Sequence, residues 1–233
     1  TDLPLVGGKN ASLGEMFSTL SSKGIRVPDG FAVTSEGYWN FLEHNKIVSP
    51  LGNILSQLDN KTFNNLSDIG SEARKLLLET SFPQELKDEI IKAHKQLCER
   101  SGDKISLAVR SSATAEDLPN ASFAGQQETY LNVRGEENLI KACQRCYASL
   151  FTDRAIKYRI DNGFEHMKVA LSIGVQVMVR ADLAGSGVMF TMDPDSGFEN
   201  VVLVSGAWGL GENVVQGSVN TDELLVFKPL LGK

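Results

Sequence analysis

The sequence predicts an α+β fold organised as two subdomains, and three observations predict it. From about residue 47 to 101 the apolar residues follow helical spacing, separated by polar turns. Short β-rich runs then appear at 105–109, 129–133 and 169–179. Near Met178–Ala184 the texture changes to short strands punctuated by glycine, which sets bounds of 1–178 and 179–233.

The elements can be justified in order. Val6-Gly7-Gly8-Lys9-Asn10 reads as a tight turn into a helix, with Asn10 as N-cap and Leu13, Met16, Phe17 and Leu20 at helical spacing. Gly24 stops that helix. Val27-Pro28-Asp29-Gly30 is a turn, Phe31–Thr34 a strand, and Ser35 a cap for a helix bearing Tyr38, Trp39, Phe41 and Leu42. Ser81-Phe82-Pro83-Gln84 has the spacing of a capping box, and Gly102-Asp103 closes the helical block. A strand over Ile105–Val109 follows, then helices over Glu136–Leu150 and Asp153–Ile160 and the β-rich segment Val169–Val179. The last part reads as strands at Val188–Thr191, Val201–Val204 and Leu224–Phe227. Turns at Asp193–Gly197 and Trp208–Glu212 separate them.

Composition narrows the function. With 23 Lys+Arg against 29 Asp+Glu the net charge is -6, without the basic excess that nucleic-acid binding needs. An anionic ligand must therefore be held by local positive charge. No apolar run reaches membrane-spanning length and no signal peptide opens the chain. Cys98, Cys143 and Cys146 are an odd, sparse set that fits a reducing cytoplasm. The Asn-x-Ser/Thr triplets at Asn10, Asn60, Asn65 and Asn120 read as chance without a secretion signal. A start at Thr1 and a strand cut short near Lys233 suggest a piece of something longer.

The chemistry concentrates in Ala108–Val133, AVRSSATAEDLPNASFAGQQETYLNV. Arg110 stands where the preceding strand should end, followed by Ser111, Ser112 and Thr114, and then by the small-residue loop Ala121–Gly125. A guanidinium forks onto phosphate oxygens, and a loop of small residues lets backbone amides approach an anion. The plainer reading of Arg110 is a surface ion pair with Glu116 or Asp117. Gly125 is either a hairpin bulge or part of a flap closing over phosphates, and Thr129 either a hydroxyl ligand or an ordinary β-former. Lys9 either reaches a phosphate near a helix N-terminus or is solvated beside a turn; the Walker pattern is absent. Gln176, in an otherwise apolar strand, either meets the polar edge of a purine or faces solvent. Gly209-Leu210-Gly211-Glu212 lacks the third glycine of a dinucleotide fingerprint, since Val214 stands there. Glu212 orients a ribose or a lysine, or caps a helix. Cys143 and Cys146 form a single CxxC that shares one helical face, which points to core rather than metal. His44, His94 and His166 are scattered and form no catalytic set.

Taken together, VGGKNASLGEM (Val6–Met16), the Ala108–Val133 stretch, SGVMFTMDP (Ser186–Pro194) and WGLGENVVQG (Trp208–Gly217) resemble the N-terminal nucleotide-binding domain of the phosphoenolpyruvate synthases. They occur in the right order over nearly the whole chain. The resemblance implies an ATP-grasp-like fold with ATP between two α+β subdomains, the first within 1–178 and the start of the second within 179–233. It implies a cytoplasmic phosphotransferase that converts ATP, pyruvate and water into AMP, phosphoenolpyruvate and phosphate. The phosphoryl group travels through a phosphohistidine on a separate domain, and a barrel domain binds pyruvate. Carried onto this chain, Lys9 and Arg110 are the catalytic contacts to the ATP phosphates, Gly125 and Thr129 belong to the covering loop, and Gln176 sits near the adenine. The family's Mg²⁺-binding acidic residue and Gln-x-Arg motif have no counterpart before Lys233, nor do the phosphohistidine motif and the barrel. The chain alone is therefore expected to bind ATP weakly without turnover. Rifampin phosphotransferases are similar in this domain, pyruvate phosphate dikinases are more distant in their glycine loop, and a non-catalytic nucleotide-binding module is the reading from another class.

Overall fold

The computed structural model describes residues 3–102, 104–114, 117–118, 121–122 and 128–231. In chain order the elements are α1 (Leu3–Leu20), β1 (Gly30–Val33), α2 (Ser35–His44), α3 (Val48–Ser56), α4 (Leu66–Glu79), α5 (Gln84–Ser101), β2 (Leu107–Ala113) and two short strands, β3 (Asp117–Leu118) and β4 (Ala121–Ser122). Then come β5 (Thr129–Val133), α6 (Glu136–Ser149), α7 (Asp153–Asp161), β6 (Leu171–Val177), β7 (Gly185–Phe190), β8 (Val201–Trp208), α8 (Gly211–Val215) and β9 (Asp222–Phe227). Helices and antiparallel sheets are mixed, so the fold class is α+β. Two compact units are present, Thr1–Met178 and Val179–Lys233. Among the described residues no helix is long and apolar enough to cross a membrane.

The first unit is built on an antiparallel sheet of order β1-β6-β2-β5. Because strand side chains alternate, the sheet has two chemically different faces. One carries Val33, Leu107, Val109, Ala113, Leu171, Ile173 and Val175, all buried in the core. Each such aliphatic side chain contributes about 1.5–3 kcal/mol of burial. Helix α6 brings Leu139, Cys143, Cys146 and Tyr147 into the same core, so both thiols of the CxxC are interior; burial pushes the Cys143 thiol up to about 12. Tyr147 also joins Tyr38, Phe41 and Phe82 in an aromatic cluster with ring centroids 5.2–5.7 Å apart. The other face carries Gly30, Ala32, Ala108, Arg110, Ser112, Thr129, Ser172, Gly174 and Gln176. Helix α1 packs on this face against β2 and β6.

Several local expectations are corrected. Strand β2 does not end at Val109; it runs to Ala113, because Ser111, Ser112 and Ala113 pair in register with Ile173, Ser172 and Leu171. Tertiary pairing overrides the turn preference of the serines. No capping box forms before α5: Pro83 sits at the cap position with ψ 135°, and no side chain caps the helix. The chain does turn into a helix here, but Asn10 is not the N-cap: α1 is two helical pieces joined at Gly7, whose φ 70° and ψ 164° are non-helical, and Asn10 already lies inside the second piece.

The second unit is an antiparallel sheet of order β7-β8-β9 with α8 beside β7 and β8. The Ser186 hydroxyl donates to the Gly209 carbonyl at 2.7 Å, tying β7 to the turn that leads into α8. Gly209, at φ 91°, makes that turn. Glu212 lies in the first turn of α8 and accepts from Gln216 at 3.1 Å.

A buried arginine paired with a half-buried histidine makes the first unit acid-sensitive. The Arg159 side chain is 1% exposed and its Nε donates to His166 Nδ1 at 2.9 Å, so the imidazole must be neutral with its proton on Nε2. Burial first, and the Arg159 guanidinium second, pull His166 down to about 4. The unfolded chain takes up that proton near pH 6.5 and the native chain does not, so stability falls as pH drops from about 6.5 toward about 4. Thermal unfolding followed at pH 7.5 and 5 should show this loss. His166→Gln, whose amide oxygen can accept from Arg159 without titrating, should flatten it.

Candidate functional site

Among the described residues of the first unit, two clefts with room for a small ligand differ in charge. One, of about 370 Å³, lies beside β1, α2 and α5 and is lined by Glu36, Glu85 and Glu89 with no basic residue. Its sign repels a polyphosphate. The other, of about 260 Å³, opens between α1 and the small-residue face of the sheet. Arg110 and Gln176 both line it. Its one carboxylate, Asp29, is neutralised: it accepts from Arg100 Nε at 2.8 Å and from the Gly30 amide at 2.7 Å. Arg110 therefore sets the sign of this second cleft.

The room for a ligand comes from what the sheet lacks. Gly30, Ala32 and Gly174 present little or no side chain beneath α1. Across the cleft, Asn10, Leu13, Gly14 and Phe17 stand at i, i+3, i+4 and i+7 on one face of α1. That face combines an amide, a small gap and two apolar side chains, the composition of a typical ligand wall.

Arg110 lies in mid-strand, between Gly174 on β6 and Thr129 on β5, and is the exposed residue in the burial pattern of β2. Among the described residues it has no ion-pair partner. Thr129 is exposed and directly opposite it. Beyond this pair, β5 carries the positive-φ residue Asn132 (φ 57°), where the register with β2 slips by one residue. Gln176, half-buried, donates from Nε2 to the Pro28 carbonyl at 3.1 Å. The amides of Val177 and Met178 donate to the carbonyls of Asp29 and Ser106, so neither is available to a ligand. Lys9 is exposed on α1, next to Asn10, and is not among the residues lining the cleft. Gly125 and Glu116 lie outside the described residues. Of the hydroxyls after Arg110, Ser111 and Ser112 are 2% and 1% exposed within the packed strand, and the half-buried Thr114 donates to the Ala170 carbonyl at 3.3 Å.

Residues read for other reasons prove to shape the site. The Asn10 Nδ2 donates to Ser172 Oγ at 3.0 Å, and Ser172 Oγ donates to the Val33 carbonyl at 2.8 Å. A Cβ at Gly174 would lie 2.3 Å from Asn10 Oδ1. Gly7, at φ 70°, presses on β2 so closely that a Cβ would fall 2.3 Å from Ser112 Oγ and 2.8 Å and 2.9 Å from the carbonyls of Ser112 and Ala113. The i, i+3, i+4, i+7 stripe was the available signal for the helix wall; nothing local marks Gly174.

A family model described as pyruvate phosphate dikinase, AMP/ATP-binding domain, matches residues 3–232. The chain belongs to this family. Among similar family proteins, a phosphoenolpyruvate synthase of Synechocystis sp. is 55% identical over 99% of this chain and 29% of its own length. Those of Neisseria meningitidis serogroup B and Escherichia coli K12 are 56% and 50% identical, each over 99% of this chain and 29% of their own length. The chain thus spans less than a third of these relatives.

The approach of α1 to β2 is testable by itself. Gly7→Ala places a side chain at a left-handed φ and against two carbonyl oxygens. Chemical denaturation should show a loss of about 1–3 kcal/mol.

Proposed function

We propose that this chain is the ATP-binding portion of a phosphoenolpyruvate synthase, with an ATP-grasp-type fold whose first subdomain is the 1–178 unit and whose second begins in 179–233. The observation that carries the reading is Arg110: a guanidinium in mid-strand, without a carboxylate partner among the described residues, in a cleft it shares with Gln176. The relatives' names and the family's description supply the class of nucleotide and the reaction.

In this reading Arg110 and Lys9 hold the ATP phosphates from one side. Phosphoryl transfer asks the protein mainly to position the nucleotide and to neutralise developing charge, which two cations from different elements do. Thr129, opposite Arg110, offers a hydroxyl to the same phosphates, and Gly125 belongs to the loop that covers them. Gln176 stands toward the base. The Val177 and Met178 amides are spent within the sheet, so neither reads the base edge. Mg²⁺ accompanies the nucleotide in such enzymes, and among the described residues no group of three or more His, Cys, Asp or Glu could hold it. The metal ligands, the phosphohistidine and the pyruvate site belong to other parts of the longer polypeptide. There the phosphoryl group passes from ATP to the histidine and on to pyruvate, with AMP and phosphate released.

Calorimetry with ATP and with adenosine tests the site. Arg110→Ala should weaken ATP by about ten- to a hundredfold, the worth of one charge-assisted hydrogen bond, and leave adenosine unchanged. Equal ATP affinity in the variant removes Arg110 from the site. The reaction itself is tested on the full-length protein by pyruvate-dependent formation of AMP and phosphoenolpyruvate from ATP.

A further inference from the structure

We infer that Asn10 is a positioning residue: its side chain fixes α1 against the sheet and thereby sets where Lys9 stands relative to Arg110. The inference rests on the nucleotide reading above and goes beyond it, because Asn10 need not touch the nucleotide to matter.

The geometry runs through one amide. From its Nδ2, a bridge passes to Ser172 on β6 and from Ser172 Oγ to the Val33 carbonyl on β1, at 3.0 and 2.8 Å. Ser172 is fully buried, so the bridge ends in the interior. Its Oδ1 occupies the space that a side chain at residue 174 would take. Gly174 is the cross-strand partner of Arg110. The same amide therefore anchors the helix that carries Lys9 and abuts the residue paired with Arg110. One helical turn earlier, Gly7 rests on the carbonyls of Ser112 and Ala113, two and three residues beyond Arg110 on β2. Helix α1 is thus seated near Arg110 at two points, Gly7 against β2 and Asn10 against β6; the Asn10 amide supplies a side-chain hydrogen bond to the sheet, and Ser35 Oγ adds one to the Pro4 carbonyl at the start of the helix. Gly8 and Lys9 lie between the two points. Without the amide, the stretch of α1 that carries Lys9 is no longer tied to the strand beside Arg110, and a triphosphate engages the two cations together less readily.

A purely structural role for Asn10 predicts a lower Tm and nothing more; a positioning role predicts dependence on Lys9. The experiment is a double-mutant cycle on ATP affinity with Asn10→Ala, Lys9→Ala and the pair, with adenosine as the second ligand and Tm as the control. Asn10→Ala is expected to weaken ATP about tenfold in the parent. In the Lys9→Ala background it should have an effect of less than about twofold, because nothing remains to be positioned. Adenosine affinity should stay unchanged throughout. Equal losses in both backgrounds, an equal loss for adenosine, or no loss at all would overturn the inference. If Lys9→Ala and Arg110→Ala are both silent toward ATP, the nucleotide reading fails and this inference with it, whereas a silent Asn10→Ala beside an affected Lys9→Ala rejects the inference alone. Should Asn10→Ala fold poorly, Ser172→Ala cuts the same bridge from the sheet side and must give the same cycle.

Discussion

The close seating of α1 on the second face of the main sheet is the constraint on which the candidate site depends. Helices usually meet sheets through layers of aliphatic side chains, about 10 Å apart. Here the contact is made by backbone and amide at Gly7 and Gly174, positions where a single methyl group would collide with an oxygen at 2.3 Å. Such an approach brings a mostly apolar helix wall with one amide to the same cleft as a strand guanidinium, and leaves room further along the helix, where Gly14 and Gly30 give way. An ordinary apolar interlayer would fill that space.

The two faces of the sheet divide the work. The apolar face meets α6 and its buried aromatics and thiols, and that packing carries the stability of the first unit. Because the core is secured there, the opposite face can hold groups that contribute little to folding: an unpaired arginine among the described residues, a glutamine, and exposed threonine. Stability and ligand chemistry are separated by the alternation of side chains along β2, in which Val109 and Ser111 face one way and Arg110 the other.

Sequence reasoning read the helical block, the interior thiols and Arg110 as the chemical centre, because periodicity and charge are local signals. It ended β2 too early, since Ser111-Ser112 resembles a turn until its partners on β6 are known. It treated Asn10 as a helix cap for the same reason: a capping residue and a residue that reaches across to a strand look alike before the fold is seen. Gly174 was invisible, as a glycine in a strand has many explanations and only the opposing Asn10 oxygen selects one. Lys9 was singled out for its charge, whereas the neighbouring Asn10 reaches across to Ser172 on the sheet. Each miss comes from a contact between residues far apart in the chain, about 60 positions for β2 with β6 and more than 150 for Asn10 with Ser172 and Gly174.

The tryptophans have their own consequence. The chain holds two, and each unit contains one. Trp39 packs against the aromatic core of the first unit, beside Tyr38 at 5.1 Å between ring centroids, whereas the indole of Trp208 in the second unit is 86% exposed. Their emission should therefore separate by wavelength and by accessibility to iodide quenching. The molecule thus carries a built-in optical reporter for each half, and melting of one can be watched without labelling the other.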